Sequence, residues 1–212
     1  AVGDYTRHNV HERMETPQYA QVLSIVDPYS YRARFTMPKF VVNSSGDQYF
    51  PPDSSRFYFD DLPGAKYLRY VPNTKHSLQG SDARQSLLAF YQAILQGSKL
   101  PQFSWKMEND RSIRIQTEDK PSEVNLWQAT NPKARDFRLE SIGPAYKKSS
   151  LESQGDGIYV ARVEKPEKGW TAFFAELVFA GGDKIPYKFT TQVQIVPDTY
   201  PHSYEEFRKS VK

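Results

Sequence analysis

The 212 residues contain no cysteine. That excludes disulfides, thiolate metal sites and a cysteine nucleophile, and leaves the redox compartment open. An excess of one charge is also missing: 28 basic and 25 acidic residues are well mixed and leave a net charge of +3. Without a long basic run there is no phosphate-tracking surface, so nucleic acid is not an expected partner. No apolar run approaches the ~20 residues that span a bilayer, so no transmembrane segment is expected. Residues 1–12 lack an initiator Met and the charged-then-apolar layout of a signal peptide. The expectation is a mature or internal piece of a longer protein. Glycine is scarcer than proline, 11 against 15, which points to many turns and edges and to a strand-rich half. Internal repeats and low-complexity tracts are absent.

What is present suits a folded protein. The chain is 38% hydrophobic, 25% charged and 14% aromatic, enough apolar surface to offset chain entropy. Its length fits one large domain or two small ones. Residues 1–36 read as helical: Thr16-Pro17 is a helix start, Tyr19, Val22, Leu23 and Val26 recur at helical spacing, and Asp27-Pro28 stops the helix. Residues 29–36 form a further short helix or turn. The run Phe40-Val41-Val42 reads as a strand buried on both faces. Asp53 is placed to cap a helix through Leu62, Pro63-Gly64 stops it, and a second strand covers Ala65–Val71. Ser81 caps a third helix whose apolar face is Leu87, Leu88, Tyr91, Ile94 and Leu95, closed by Gly97. Residues 37–96 thus alternate strand, loop, helix, as in a parallel sheet flanked by helices.

After Pro101 the pattern changes to short strands between turns. Strands are predicted near Phe103–Met107, Ser112–Thr117, Glu123–Ala129, Phe137–Ser141, Gly157–Glu164, Thr171–Phe179 and Tyr187–Val196. Turns are marked at Asn109-Asp110, Lys120-Pro121, Asn131-Pro132, Gly155-Asp156-Gly157 and Gly181-Gly182-Asp183. The pattern is that of a β-sandwich of immunoglobulin or fibronectin type. The fold-class reading is α/β plus all-β: residues 1–100 as the C-terminal portion of an α/β-hydrolase-like sheet, residues 101–200 as a β-sandwich, and residues 201–212 as a polar, frayed tail.

The chemistry-bearing pair is Asp47 and His76. In α/β-hydrolases the triad runs Ser, then Asp or Glu, then His, with the acid and the histidine in loops after late parallel strands. Such loops converge on one edge of the sheet. A carboxylate there fixes the imidazole tautomer and stabilises the imidazolium formed when histidine takes the serine proton. Gly46 is expected to let the chain turn before the acid. The competing reading of Asp47 is a turn aspartate bonding its own backbone; of His76, a surface loop histidine. Asp53 is a rival acid but reads better as an N-cap. The chain contains no Gly-x-Ser-x-Gly and no glycine-rich oxyanion loop. Alone it is expected to be inactive, since the nucleophile and oxyanion donors do most of the catalytic work. It is also expected to expose a strand edge and to aggregate.

Residues 25–78 resemble the PhoPQ-activated pathogenicity-related family. The matching pieces are Asp27-Pro28-Tyr29, Pro38-Lys39, Gly46-Asp47, Phe50, Pro52-Asp53-Ser54, Gly64, Pro72-Asn73 and His76-Ser77. The stretches 169–179 and 186–197 are similar to the family's C-terminal β-region. The resemblance implies a secreted or envelope-associated (periplasmic) bacterial protein with an α/β-hydrolase-like domain. In the family's layout the serine and oxyanion elements lie upstream of residue 1, so the missing N-terminal part of the domain is an expected partner.

Other candidates have plainer readings beside them. His8, His11 and Glu12 have i, i+3, i+4 spacing but lack the HExxH order and a third ligand, so no metal site is assigned. No cofactor is expected. Trp105, Trp127 and Trp170, with Tyr146, Tyr159 and Tyr187, read as sandwich core and alternatively as a glycan- or peptide-binding platform. Arg32, Arg34 and Arg56 are candidates for an acidic substrate group, or surface residues paired with Asp60 and Asp61. Tyr29 reads as packed beneath the sheet. Three functions are carried forward: a serine hydrolase of an ester or amide, taking a small-molecule or peptide substrate; a hydrolase-fold protein that works by binding; and a cell-surface or carbohydrate-binding β-module.

Overall fold

A computed structural model describes residues 3–181 and 185–210. It is a mixed α and β fold, mostly strands, in several sheets. Two short helices, α1 (Gly3–Arg7) and α2 (Val10–Arg13), precede α3 (Pro17–Val26). Thr16 caps α3 by accepting the Tyr19 N–H at 3.2 Å. Asp27 ends α3 and caps the 3-10 helix Pro28–Arg34. β1 (Lys39–Ser44) and β2 (Lys66–Val71) pair in parallel, Phe40 beside Tyr67 and Ser44 beside Val71. α4 (Ala83–Gln96) follows and ends at Gly97, whose φ of 64° lets its N–H reach back to the last turn.

The second half forms two antiparallel sheets. One is β3 (Phe103–Met107), β4 (Ile113–Thr117) and β7 (Ile158–Ala161) in the order β3-β4-β7. The other is built on β5 (Glu123–Asn131) and β8 (Trp170–Phe179), with β6 (Lys147–Ser150) on the β5 side. β9 (Tyr187–Thr190) and β10 (Gln194–Val196) both pair with β8. Side chains of the two sheets meet in one cluster that includes Ile113, Ile115, Leu126, Phe173 and Leu177. Tyr67, Phe90 and Phe40 of the first half pack into the same cluster, and the Tyr67 ring lies 4.5 Å from that of Phe189. The Tyr70 N–H donates to Thr190 Oγ1 at 2.9 Å.

Several expectations change. The strand expected over Phe137–Ser141 is instead a helical turn, α5 (Leu139–Ile142). Asp136 causes it by accepting from the Arg138 N–H and the Ser141 hydroxyl, which curls the chain. β6 lies where no strand was predicted. The strand expected over Tyr187–Val196 is broken, because the Thr191 hydroxyl takes the Ala175 N–H at 3.1 Å. Asp53 caps no helix through Leu62; only Ser54–Phe57 is helical, and Asp53 makes no side-chain cap bond. The cap position of α4 is Asp82, one residue after the expected Ser81, although Ser81 Oγ still accepts the Ala83 N–H at 3.3 Å.

α4 also faces the other way. Ala83, Ser86, Ala89, Phe90 and Ala93 are buried, whereas Leu87, Leu88, Tyr91, Ile94 and Leu95 are exposed. Small residues let the helix approach the sheet closely, and Phe90 wedges against Phe40 at 5.0 Å. Tyr29 is exposed rather than packed beneath the sheet, and its hydroxyl donates to Asp61. The expected frayed tail holds a short helix, α6 (Tyr204–Ser210), and Tyr204 hydrogen-bonds Glu15 at 2.9 Å. Gly182 and Asp183 of one expected turn lie outside the described residues.

Candidate functional site

The parallel pairing of β1 and β2 brings the loops after their C-terminal ends together. Asp47 follows β1, His76 follows β2, and Asp47 Oδ2 lies 2.8 Å from His76 Nδ1. The other carboxylate oxygen accepts the N–H groups of Tyr49 at 2.7 Å and Phe50 at 3.3 Å. The turn-aspartate reading of Asp47 and the acid reading are therefore both satisfied, one by each oxygen. Asp47 is buried, with 7% of its side chain exposed, while the His76 side chain is 48% exposed. The rings of Tyr49 and Phe50 flank the imidazole at 4.8 and 5.8 Å. Gln48 Oε1 accepts the His76 N–H at 3.2 Å. With Nδ1 turned to a buried carboxylate, Nε2 is the nitrogen left facing outward, the arrangement a general base requires.

Hydrogen bonds lock the two loops to each other. Ser44 Oγ donates to Thr74 O at 2.6 Å, and Asn73 N–H donates to Ser45 Oγ at 3.2 Å. Gly46 serves close approach rather than a tight turn: a Cβ there would sit 2.6 Å from Thr74 O and 3.0 Å from Leu139 N. The β-rich half closes the far side. Leu139 N–H donates to Gly46 O at 3.0 Å. Asn73, held at φ 56°, donates its amide to Tyr146 O and accepts from Tyr146 N–H, both at 2.9 Å. The Tyr146 phenol is fully enclosed, and burial pushes its pKa up. Asp53, the rival acid, is engaged elsewhere, in a buried pair with Arg135 at 2.6 Å.

A cavity of about 360 Å³ adjoins the acid loop, between Tyr49 and Phe50 on one side and Arg135, Asp136 and Arg138 on the other. Arg138 hydrogen-bonds Asp136 and, with Ser141, holds that carboxyl well below the usual range against the opposing effect of burial. The sequence reading named Asp47 and His76 but missed Gln48, Tyr49, Thr74 and the residues 135–146. Asn73 was visible within Pro-Asn-x-x-His; nothing local ties residue 135 or 146 to this loop.

The family model of the PhoPQ-activated pathogenicity-related protein matches residues 1–138. The chain belongs to that family. Autocrine proliferation repressor protein A of Dictyostelium discoideum is 34% identical over 228 residues, covering 95% of this chain and 46% of that protein. The chain thus spans about half the length of that curated relative, and likeness to this PhoPQ-related chain extends beyond bacteria. No solved structure matches it.

The remaining candidates scatter. Asn9, at φ 51°, breaks the helix between His8 and His11, so the i, i+3, i+4 face does not form, and His11 packs between Tyr5 and Phe207. Arg32 lies over Tyr29 and 3.9 Å from Asp61, and Arg34 lies over Tyr31. Arg56 pairs with Asp198 at 2.9 Å rather than with Asp60 or Asp61. Tyr146 and Tyr187 are buried; Trp105, Trp127, Trp170 and Tyr159 are partly buried against the core clusters.

Proposed function

We propose that Asp47 and His76 are the acid and base of an α/β-hydrolase-type serine hydrolase acting on an ester or amide. The nucleophile and oxyanion donors would come from a part of the longer protein outside these 212 residues. The carrying observation is the 2.8 Å contact between a buried carboxylate and a half-exposed imidazole in the loops after two parallel strands. In this reading Asp47 holds the proton on Nδ1, and Nε2 takes the serine proton during attack and returns it to the leaving group. The Tyr49 and Phe50 N–H groups hold the second oxygen of Asp47 and so fix the carboxylate as it orients the imidazole.

The length of the Dictyostelium relative supports a larger whole. Among the described residues β1 pairs with β2 alone, and its free edge, beside the exposed apolar face of α4, is where the remaining strands of such a sheet belong. Residues 101–200 then form an immunoglobulin- or fibronectin-like sandwich behind the site. A secreted or envelope location follows from the family reading. A second reading, a hydrolase fold that works by binding, is favoured by the name of the Dictyostelium relative, a proliferation repressor.

Labelling the full-length protein with a fluorophosphonate tests both. The hydrolase reading expects stoichiometric labelling of one serine, abolished by His76→Ala. Asp47→Asn should slow turnover of an ester substrate by roughly 10⁴-fold, since the amide selects the wrong tautomer. A folded protein that takes no label sinks the hydrolase reading and leaves the binding one.

A further inference from the structure

We propose that the outer edge of β3 is a docking edge for one extended segment of a partner polypeptide carrying alternating apolar and acidic side chains. The inference stands apart from the hydrolase reading. At the two ends of the β3–β4 ladder, Glu108 N–H donates to Ser112 O at 2.9 Å and Glu118 N–H to Gln102 O at 3.0 Å. Bonded and non-bonded pairs alternate along an antiparallel ladder. Even-numbered residues therefore turn their N–H and C=O groups toward β4, and Phe103, Trp105 and Met107 turn theirs outward. Among the described residues these outward groups have no hydrogen-bond partner.

A groove of about 420 Å³ follows this edge, lined by all five residues of β3, so it runs along the strand and not over one face. Its opposite bank is Phe59, Lys66 and Gln192. The Trp105 ring stacks on Phe59 at 5.7 Å and on Phe103 at 5.9 Å, giving an apolar floor. Gln192 is only 7% exposed, and its amide nitrogen is buried without a partner. Leaving such a donor unpaired is unfavourable, and an arriving carbonyl would relieve it.

Charge selects the occupant. Lys66 and Lys106 stand on opposite banks, and Asp60 is the one acid lining the groove. The Lys106 side chain is 77% exposed and meets Glu108, beyond the end of the strand, only at 3.9 Å, a surface pair of little strength. An added strand takes its affinity from main-chain bonds and its specificity from alternate side chains. Here apolar side chains would meet Trp105 and Phe59, and acidic ones Lys106. A second copy of β3 fits less well, because edge-to-edge pairing brings like-charged lysines together, a known device against self-pairing.

The test uses a blocked, fluorescein-labelled hexapeptide alternating valine and glutamate, read by anisotropy and by hydrogen exchange of the chain. Saturating peptide should slow exchange of the Phe103, Trp105 and Met107 amides at least tenfold. Met107→Pro removes an N–H that the β4 ladder does not use, a change edge strands tolerate. It should weaken binding about tenfold, the size of one lost hydrogen bond. Lys106→Glu should weaken it similarly and serves if the proline variant does not fold. Unchanged exchange at saturating peptide overturns the proposal, as does equal protection by the lysine-for-glutamate peptide. Protection that sedimentation traces to dimerisation overturns it too.

Discussion

Both oxygens of the Asp47 carboxylate are committed, one to His76 and one to the Tyr49 and Phe50 amides. This pair is legible in sequence because its signal is a spacing: a strand, a Gly-Asp, a connection long enough to return the chain, a parallel strand and a histidine. The glycine before it was legible in identity but not in reason. Gly46→Ala would place a Cβ 2.6 Å from the Thr74 carbonyl and 3.0 Å from the Leu139 nitrogen. Backbone atoms do not yield as flexible side-chain ends do, so the substitution should destabilise by about 1–3 kcal/mol, seen as a lower denaturant midpoint. The Asp53–Arg135 pair spans 82 residues with both side chains buried, 3% and 7% exposed. No local pattern couples those positions, and Asp53 therefore reads as a helix cap. Arg135→Ala removes the closer partner of a buried carboxylate and leaves it only Arg56, at 3.7 Å. The loss should be about 1.5–3 kcal/mol, that of a hydrogen bond to a charged group. In a double-mutant cycle with Asp53→Ala the two losses should not add; simple additivity would show that the pair is not coupled.

Among the elements, α4 shows where periodicity stops informing. Its helical spacing and its Gly97 stop are plain in sequence, but two stripes compete for the core and the more apolar one loses. The alanine stripe wins because it brings the helix axis close to the sheet and leaves room for Phe90. Leu95, 68% exposed, should accept lysine with a stability change within about 0.5 kcal/mol. Ala93, 1% exposed, should not accept leucine, which overpacks the interface by about 1–3 kcal/mol. Thermal melts of the two variants distinguish them, and equal effects would mean the helix has turned over. The Phe137–Ser141 segment was misread for a different reason. Apolar residues suggest a strand, while a single carboxylate, Asp136, gathers four donors from Arg138 and Ser141 and turns the chain.

At the scale of the molecule, carboxylates stitch distant segments. Asp82 joins Arg69 of β2 to Lys188 of β9, and Asp198 joins Arg56 to Arg111. Burial alone would raise the Asp82 carboxyl, but the Lys188 hydrogen bond and the charges of Arg69 and Lys188 outweigh it and hold it below its ordinary 3.8. Asp198 is held below the same value, first by its Arg56 hydrogen bond. A carboxyl depressed in the folded state contributes stability above its unfolded pKa and loses it as pH falls through the folded one. The denaturant midpoint should therefore be flat from neutral pH to about 4 and fall below 3.8. Asp82→Asn should flatten part of that fall; an unchanged acid limb would exclude Asp82 as a contributor. The alternation of residues 37–96 and the later run of strands were legible because each is a local pattern. How the two stretches interlock was not, because it rests on contacts such as Tyr70 with Thr190 and Asn73 with Tyr146, far apart in sequence.

That last contact sets an order of events. Asn73 and Gly46 are held by residues 139–146, so the histidine and acid loops gain their full set of hydrogen bonds only when the later half of the chain has folded against them. During synthesis the segment carrying Asp47 and His76 emerges before residues 139–146, and these hydrogen bonds are long-range pairings, the kind that close slowly. The Asp47–His76 geometry is thus a joint property of the two halves of the chain.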